Sequence, residues 1–175
     1  KYLLNHGHSA CAGCGEILAM RHVLQAAGEN TIVVNATGCS EVTTTRFPTS
    51  SFKVPWIHAN FENASAVASG ILAALRCDSG QAPERKNNVN VIAWGGDGAT
   101  FDIGFGLISG SWERGENILY VCFDNEGYMN TGVQSSGSTP LGANTTTTPP
   151  GEKSYGNDLK KKDMRLIKKI LLFQI

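Results

Sequence analysis

Two groups of residues in this chain carry chemistry by type and spacing. The first is Gly95-Gly96-Asp97-Gly98-Ala99, followed 27 residues after its aspartate by Asp124-Asn125. Asp97 offers a hard anionic oxygen and Asn125 a neutral one. Mg²⁺ takes such oxygens, with one or two carboxylates completed by phosphate oxygens and water. Gly96 and Gly98 leave room for a diphosphate beside the backbone, and a following helix N-terminus favours anions. Taken alone, Gly-Asp-Gly is an ordinary turn with a capping aspartate. Its coupling to Asp-Asn one helix and one strand later is much more specific. The spacing differs from G-x-G-x-x-G, which argues against a dinucleotide site.

The second group is Cys11-x-x-Cys14, with Cys39 a further 25 residues on. A thioredoxin-type pair needs a strand leading into the first cysteine, and KYLLNHGHSA is a poor strand. Zinc takes four Cys or His ligands, and His6, His8 and His58 are available. Spacing alone leaves zinc, an iron–sulfur cluster and core or redox cysteines open. Cys77 and Cys122 read as buried apolar residues.

These residues need elements to place them. EILAMRHVLQAA has helical spacing and stops at Gly28. TIVVNATG reads as a strand running into a turn, and residues 40–60, rich in Ser, Thr and Pro, as a loop. NASAVASGILAALR reads as a small-residue helix and residues 78–89 as a surface connection. NVIAW is a strand, FDIGFGLISGSWERG a helix and NILYVCFD a strand, a βαβ unit with a parallel sheet. In such sheets ligands bind beyond the carboxyl ends of the strands. Asp97 and Asn125 then share one rim. The long Gly/Ser/Thr loop after Asn125 is of a length found in functional or disordered segments.

The totals set outer bounds. The 175 residues suffice for one core, and a 41% hydrophobic share excludes disorder. The net charge is zero, but residues 158–175 hold six Lys or Arg against two Asp, a net +4, which leaves −4 on residues 1–157. The body therefore makes no case for nucleic acid. No apolar run is long enough for a membrane span, and no signal peptide is visible. Five cysteines, an odd and sparse number, fit reduced thiols and a cytoplasmic setting rather than a secreted scaffold. The chain begins at Lys1 without Met, and an upstream piece is expected. The tail KKKDMRLIKKILLFQI reads as a basic amphipathic helix. A membrane-surface role is one reading of it, and a helix lacking its packing partner is the other.

The stretch from Gly96-Asp97-Gly98-Ala99 to Asp124-Asn125-Glu126-Gly127-Tyr128-Met129-Asn130-Thr131-Gly132 resembles the thiamine diphosphate motif of the 2-oxoacid:ferredoxin oxidoreductases. The likeness is to their β subunit, most closely the pyruvate type. It extends through GHSACAGCGE, VVNATGCSEV, VPWIHANFENASAVASGI and NTGVQSSGSTPLGA, over about residues 6–157. It implies an α/β thiamine diphosphate-binding fold, a mostly parallel sheet flanked by helices. Residues 1–157 would form the thiamine diphosphate-binding domain with its cysteine-rich start, and 158–175 a basic tail, an incomplete or altered helix.

The resemblance further implies Mg²⁺ on Asp97, the Asn125 side chain and the Gly127 carbonyl. Gly96, Gly98, Ala99, Tyr128 and Asn130 would surround the cofactor, with Glu16 and Cys39 beside it and Asn130 at the reacting centre. Cys11, Cys14 and Cys39 would ligate a [4Fe–4S] cluster. The family's fourth cysteine lies beyond position 175, and RLIKKILLFQI does not read as the family's continuation, so the chain is expected to be truncated. The implied reaction is oxidative decarboxylation of a 2-oxo acid, pyruvate by overall likeness, with coenzyme A acylated and ferredoxin reduced. The glutamate that activates the cofactor comes, in the family, from the α subunit. Glu16, Glu62 and Glu126 are therefore not cast in that role, and α, γ and δ subunits are the expected partners. His58 and Trp56 are expected to pack a loop. The competing expectations are a zinc-stapled interaction module without catalysis, and a non-redox thiamine decarboxylase or synthase.

Overall fold

The computed structural model describes residues 2–46, 48–77 and 89–172. Four parallel strands make one sheet in the order β2-β1-β3-β4, with β1 at Thr31–Ala36, β2 at Trp56–Ala59, β3 at Asn90–Gly96 and β4 at Leu119–Phe123. The two central strands, β1 and β3, are buried on both faces, as their unbroken apolar runs require. Side chains alternate between two cores. Val33, Ile92, Trp94 and Phe123 pack against Ile17, Met20 and Leu24 of helix α1 (Gly15–Ala27). On the other face Val34, Ala36, Val91 and Ala93 meet Ala64 and Ala68 of α3 (Ala64–Cys77). Alanines at that contact let the helix backbone come close to the sheet. Trp94 is fully buried and sits between Phe52 and Phe123, with ring centroids 5.8 and 5.5 Å away.

The expected helix and strands around the Gly-Asp-Gly turn are present, with one difference. The chain leaves β3 through Asp97 into a π-helical segment, Gly98–Ile103, before α4 (Phe105–Glu113) begins. A short π segment inside a helical run is a common mark of a functional site. Gly104 permits the join: a Cβ there would lie 2.2 Å from the Ala99 carbonyl oxygen.

The expected loop over residues 40–60 is corrected. Cys39–Thr44 form a short helix, α2, and Trp56–Ala59 form the edge strand β2, in register with β1 from Val33↔Trp56 to Ala36↔Ala59. Pro55, which has no N–H to give, precedes the strand and accepts a hydrogen bond from Val33 N–H at 2.9 Å. Only one side of β2 is paired, so it carries no regular apolar alternation. Trp56 and His58 are strand residues, and Trp56 packs on the loop before the strand, its ring centroid 5.9 Å from that of Phe52. The connection expected at 78–89 lies outside the described residues, apart from Val89. The tail forms α5, Met164–Leu172, which packs on α4, with Lys168 Nζ 5.7 Å from the centre of the Trp112 ring. Among the described residues no helix is long and apolar enough to cross a membrane. Cys77, the last residue of α3, is exposed rather than buried; Cys122 is half-buried, and burial pushes its thiol up to about 11.

Candidate functional site

The register Gly96↔Phe123 puts the carboxyl ends of β3 and β4 side by side, so Asp97 and Asn125 lie on one rim. Asp97 is 1% exposed. Its carboxylate accepts a hydrogen bond from the Ser136 hydroxyl and is further favoured by the backbone N–H of Asn125. Burial nevertheless holds its pKa above the ordinary value, outweighing both bonds. Asn125 is oriented by Glu16: its Nδ2 donates to Glu16 Oε1 at 2.9 Å. The opposite end of that amide, Oδ1, is buried and accepts no hydrogen bond. Glu16 is itself raised, first by burial and then by the charge of Asp97, against the bond from Asn125. Two carboxylates, Glu16 and Asp97, thus face a common cleft. A buried acceptor without a donor costs free energy that a ligand can recover. A carboxylate and an unpartnered amide oxygen are donors that suit a hard divalent cation.

The cleft at this rim encloses about 380 Å³ of empty space, counted out to its mouth. Glu16, Cys39, Gly96, Asp97, Gly98, Ala99, Asn125, Gly127, Tyr128 and Asn130 all line it, so every residue expected at the cofactor is gathered there. Gly98 is sterically required: a Cβ on it would fall 2.1 Å from Cε1 of Tyr128. At Gly96 a Cβ would meet nothing nearer than 4.0 Å, which leaves that backbone open toward the cleft. Thr37 and Phe61 also line it, without having been singled out from the sequence. The Thr37 hydroxyl stands 2.6 Å from His58 Nε2, which brings His58 to the cleft's edge through Thr37.

Cys39 connects this cleft to a second cavity. Burial, then the Glu16 charge, raises its thiol, while the backbone N–H of Asn130 and the Asn125 amide hold the other way. Cys11, Cys14 and Cys39 line this neighbouring cavity together with Glu16, Asn125 and Asn130. All three thiols are free. Among the described residues, no three His, Cys, Asp or Glu are close enough together to hold a single metal ion. Neither a zinc site from His6, His8 or His58 nor a closed cysteine cage is therefore preformed. The cavity that the three thiols line is open to solvent.

Two residues outside the sequence reading complete the site. Ser136, 39 residues after Asp97, orients its carboxylate. Asp102 on the π segment ties down the loop that carries Asn130. Asp124 does not line the cleft, although its charge also raises Asp97; it lines the cysteine cavity instead. Burial would raise its pKa, but bonds from Lys161 Nζ (2.5 Å), Ser138 Oγ (2.5 Å) and the Glu126 N–H together hold it below the usual range. Glu62 lies just before α3, as expected of a carboxylate at a helix start.

Residues 36–168 match the family model for the thiamine pyrophosphate enzyme C-terminal TPP-binding domain. The chain is 55% identical to pyruvate synthase subunit PorB of Methanosarcina barkeri, over 95% of this chain and 55% of that one. It is likewise 55% identical to pyruvate synthase subunit PorB of Methanocaldococcus jannaschii, over 92% and 54%. It spans about half the length of these relatives. A solved structure of 2-oxoglutarate:ferredoxin oxidoreductase from Magnetococcus marinus, with 2-oxoglutarate, coenzyme A and succinyl-CoA bound, superposes with a TM-score of 0.76. It covers 97% of this chain and 53% of its own at 24% identity, which supports the α/β fold.

Proposed function

This chain belongs to the thiamine pyrophosphate enzymes, through their C-terminal TPP-binding domain, and we propose that it is the β-type subunit of a 2-oxoacid:ferredoxin oxidoreductase acting on pyruvate. One observation carries the reading: Asp97 and the unpartnered Asn125 Oδ1 share a strand-tip rim, beside a cavity lined by three free cysteines. In this reading Asp97, Asn125 Oδ1 and the Gly127 carbonyl hold Mg²⁺, and the open backbone at Gly96 admits the diphosphate. When bound, thiamine diphosphate supplies the carbon nucleophile and electron sink for decarboxylation, and a [4Fe–4S] cluster on Cys11, Cys14 and Cys39 supplies single-electron acceptance.

The chain's own residues orient and neutralise. Glu16 fixes which end of the Asn125 amide faces the cation. Ser136 fixes Asp97. Asn130 lines both the cleft and the cysteine cavity, and its backbone N–H bonds Cys39; there it would contact the reacting centre. The cofactor's activating carboxylate is left to the partner α subunit, and γ and δ subunits, ferredoxin and coenzyme A complete the assembly, in the cytoplasm. Pyruvate is favoured by likeness to the two pyruvate synthase subunits.

The experiment is calorimetric titration of thiamine diphosphate in Mg²⁺ with Asp97→Ala, alongside metal analysis of anaerobically purified protein. Lost binding, with iron and sulfide present, supports the reading. Unchanged binding, or zinc in place of iron, overturns it. Acetaldehyde or acetolactate from pyruvate would point to non-redox thiamine chemistry instead.

A further inference from the structure

We propose that Asp102 and Lys162 are positioning residues for the cofactor loop: a latch outside the cleft that sets the affinity of the Mg²⁺–diphosphate site. The proposal rests on the reading of the cleft given above. Asp102 gathers both ends of the loop onto one carboxylate. It accepts the Tyr128 hydroxyl at 3.1 Å and the Gly137 N–H at 2.9 Å. Between those two anchors lie Asn130, on the cleft, and Ser136, whose hydroxyl holds Asp97. Lys162 closes the latch: Nζ donates to Asp102 Oδ1 at 2.7 Å and to the Phe101 carbonyl at 2.6 Å, and its N–H donates to the Gly137 carbonyl at 2.9 Å.

Three features mark this as more than a surface ion pair, which by itself contributes little. Lys162 makes three bonds to three residues, so its place does not depend on the charge pair alone. The backbone at Gly137 is in close contact with both latch side chains: a Cβ there would lie 2.6 Å from Asp102 Oδ1 and 2.9 Å from Lys162 Cδ, so any side chain at this position must push them aside. The latched loop also holds Val133 at φ 64, a backbone state a β-branched residue rarely adopts unless other contacts impose it. Charge gives Lys162 a second role. An anionic Asp102 near a diphosphate would repel it, and the ammonium offsets that repulsion.

The test uses the protein as its host makes it, with whatever subunits co-purify, and thiamine diphosphate with Mg²⁺ as the probe. Asp102→Asn and Lys162→Met should each raise the cofactor Kd about 10–100-fold, the usual effect of altering groups that orient metal ligands. Lys162→Arg should stay within about threefold of the parent, because it keeps the charge and the donors. Gly137→Ala, which keeps both latch residues but pushes their side chains off the loop backbone, should weaken binding in the same direction as Lys162→Met. At saturating cofactor, kcat should recover in Lys162→Met, a split that general unfolding would not produce. Parent-like affinity in Lys162→Met and Gly137→Ala would overturn the latch. So would an affinity loss that Lys162→Arg shares in full. A parent protein that binds no cofactor would instead overturn the site reading itself.

Discussion

Around Asp97 the donors are held by hydrogen bonds from several elements of the fold. Sheet pairing fixes Asp97 and Asn125 against each other, Ser136 and Glu16 turn their side chains, and Asp102 holds the loop above them. Around Cys11 and Cys14 the opposite holds. Cys11 is exposed, and Cys14, at the start of α1, packs on the core edge but makes no side-chain capping bond; a turn from Cys14 N–H to the Cys11 carbonyl at 3.1 Å joins the two. Of the three cysteines, Cys39 belongs to both regions, and Glu16, Asn125 and Asn130 line both with it. Strand tips inherit their precision from the hydrogen-bonded sheet, whereas cysteines on a lead-in loop take theirs from what they bind and what packs over them. On the proposed reading, the Asp97 end is preorganised for its ligand, and the cysteine end would be finished by what it binds.

That contrast can be broken in several ways. Cys14→Ser should remove the cluster's brown absorbance and most of the iron. It should leave Mg²⁺-dependent cofactor affinity within about threefold, because the strand-tip donors are fixed independently. Joint loss would show that the two regions fold as one. Gly98→Ala acts on the other region only. Its new methyl collides with the Tyr128 ring, and overpacking of this kind costs about 1–3 kcal/mol. A lower melting temperature with weaker cofactor binding is expected, and adding Tyr128→Ala should restore stability. If the single variant melts like the parent, the contact is not close.

The smallest effect is in pH. Burial raises both Asp97 and Glu16, so just above the ordinary carboxylate range the native protein holds more protons than the unfolded chain. Cofactor-free stability then declines as pH rises through the raised pKa values. A bound cation must displace those protons, so the gain in melting temperature from Mg²⁺ with thiamine diphosphate should shrink on going from neutrality to about pH 5. A gain that stays flat would mean that neither carboxylate faces the cation.

Much of this was legible in the sequence, for physical reasons. β1, β3 and β4 announce themselves as apolar runs, α1 and α3 by helical spacing, and the Asp97–Asn125 pairing by the length of one helix and strand. β2 was not legible, since four residues paired on one edge need no alternation. Neither were Ser136 and Asp102. A serine among many, and an aspartate on a helix, have no local signature when their partners lie 39 and 60 residues away. Lys161 and Lys162 read as part of a basic tail, yet they bond to Asp124 and Asp102 and so pack against the site.

The most direct test is calorimetric titration of thiamine diphosphate into the unaltered protein, once in Mg²⁺ and once in EDTA. Saturable binding in Mg²⁺ that disappears in EDTA is the predicted result. Equal binding in both, or none in either, would contradict a cation clamped between Asp97 and Asn125.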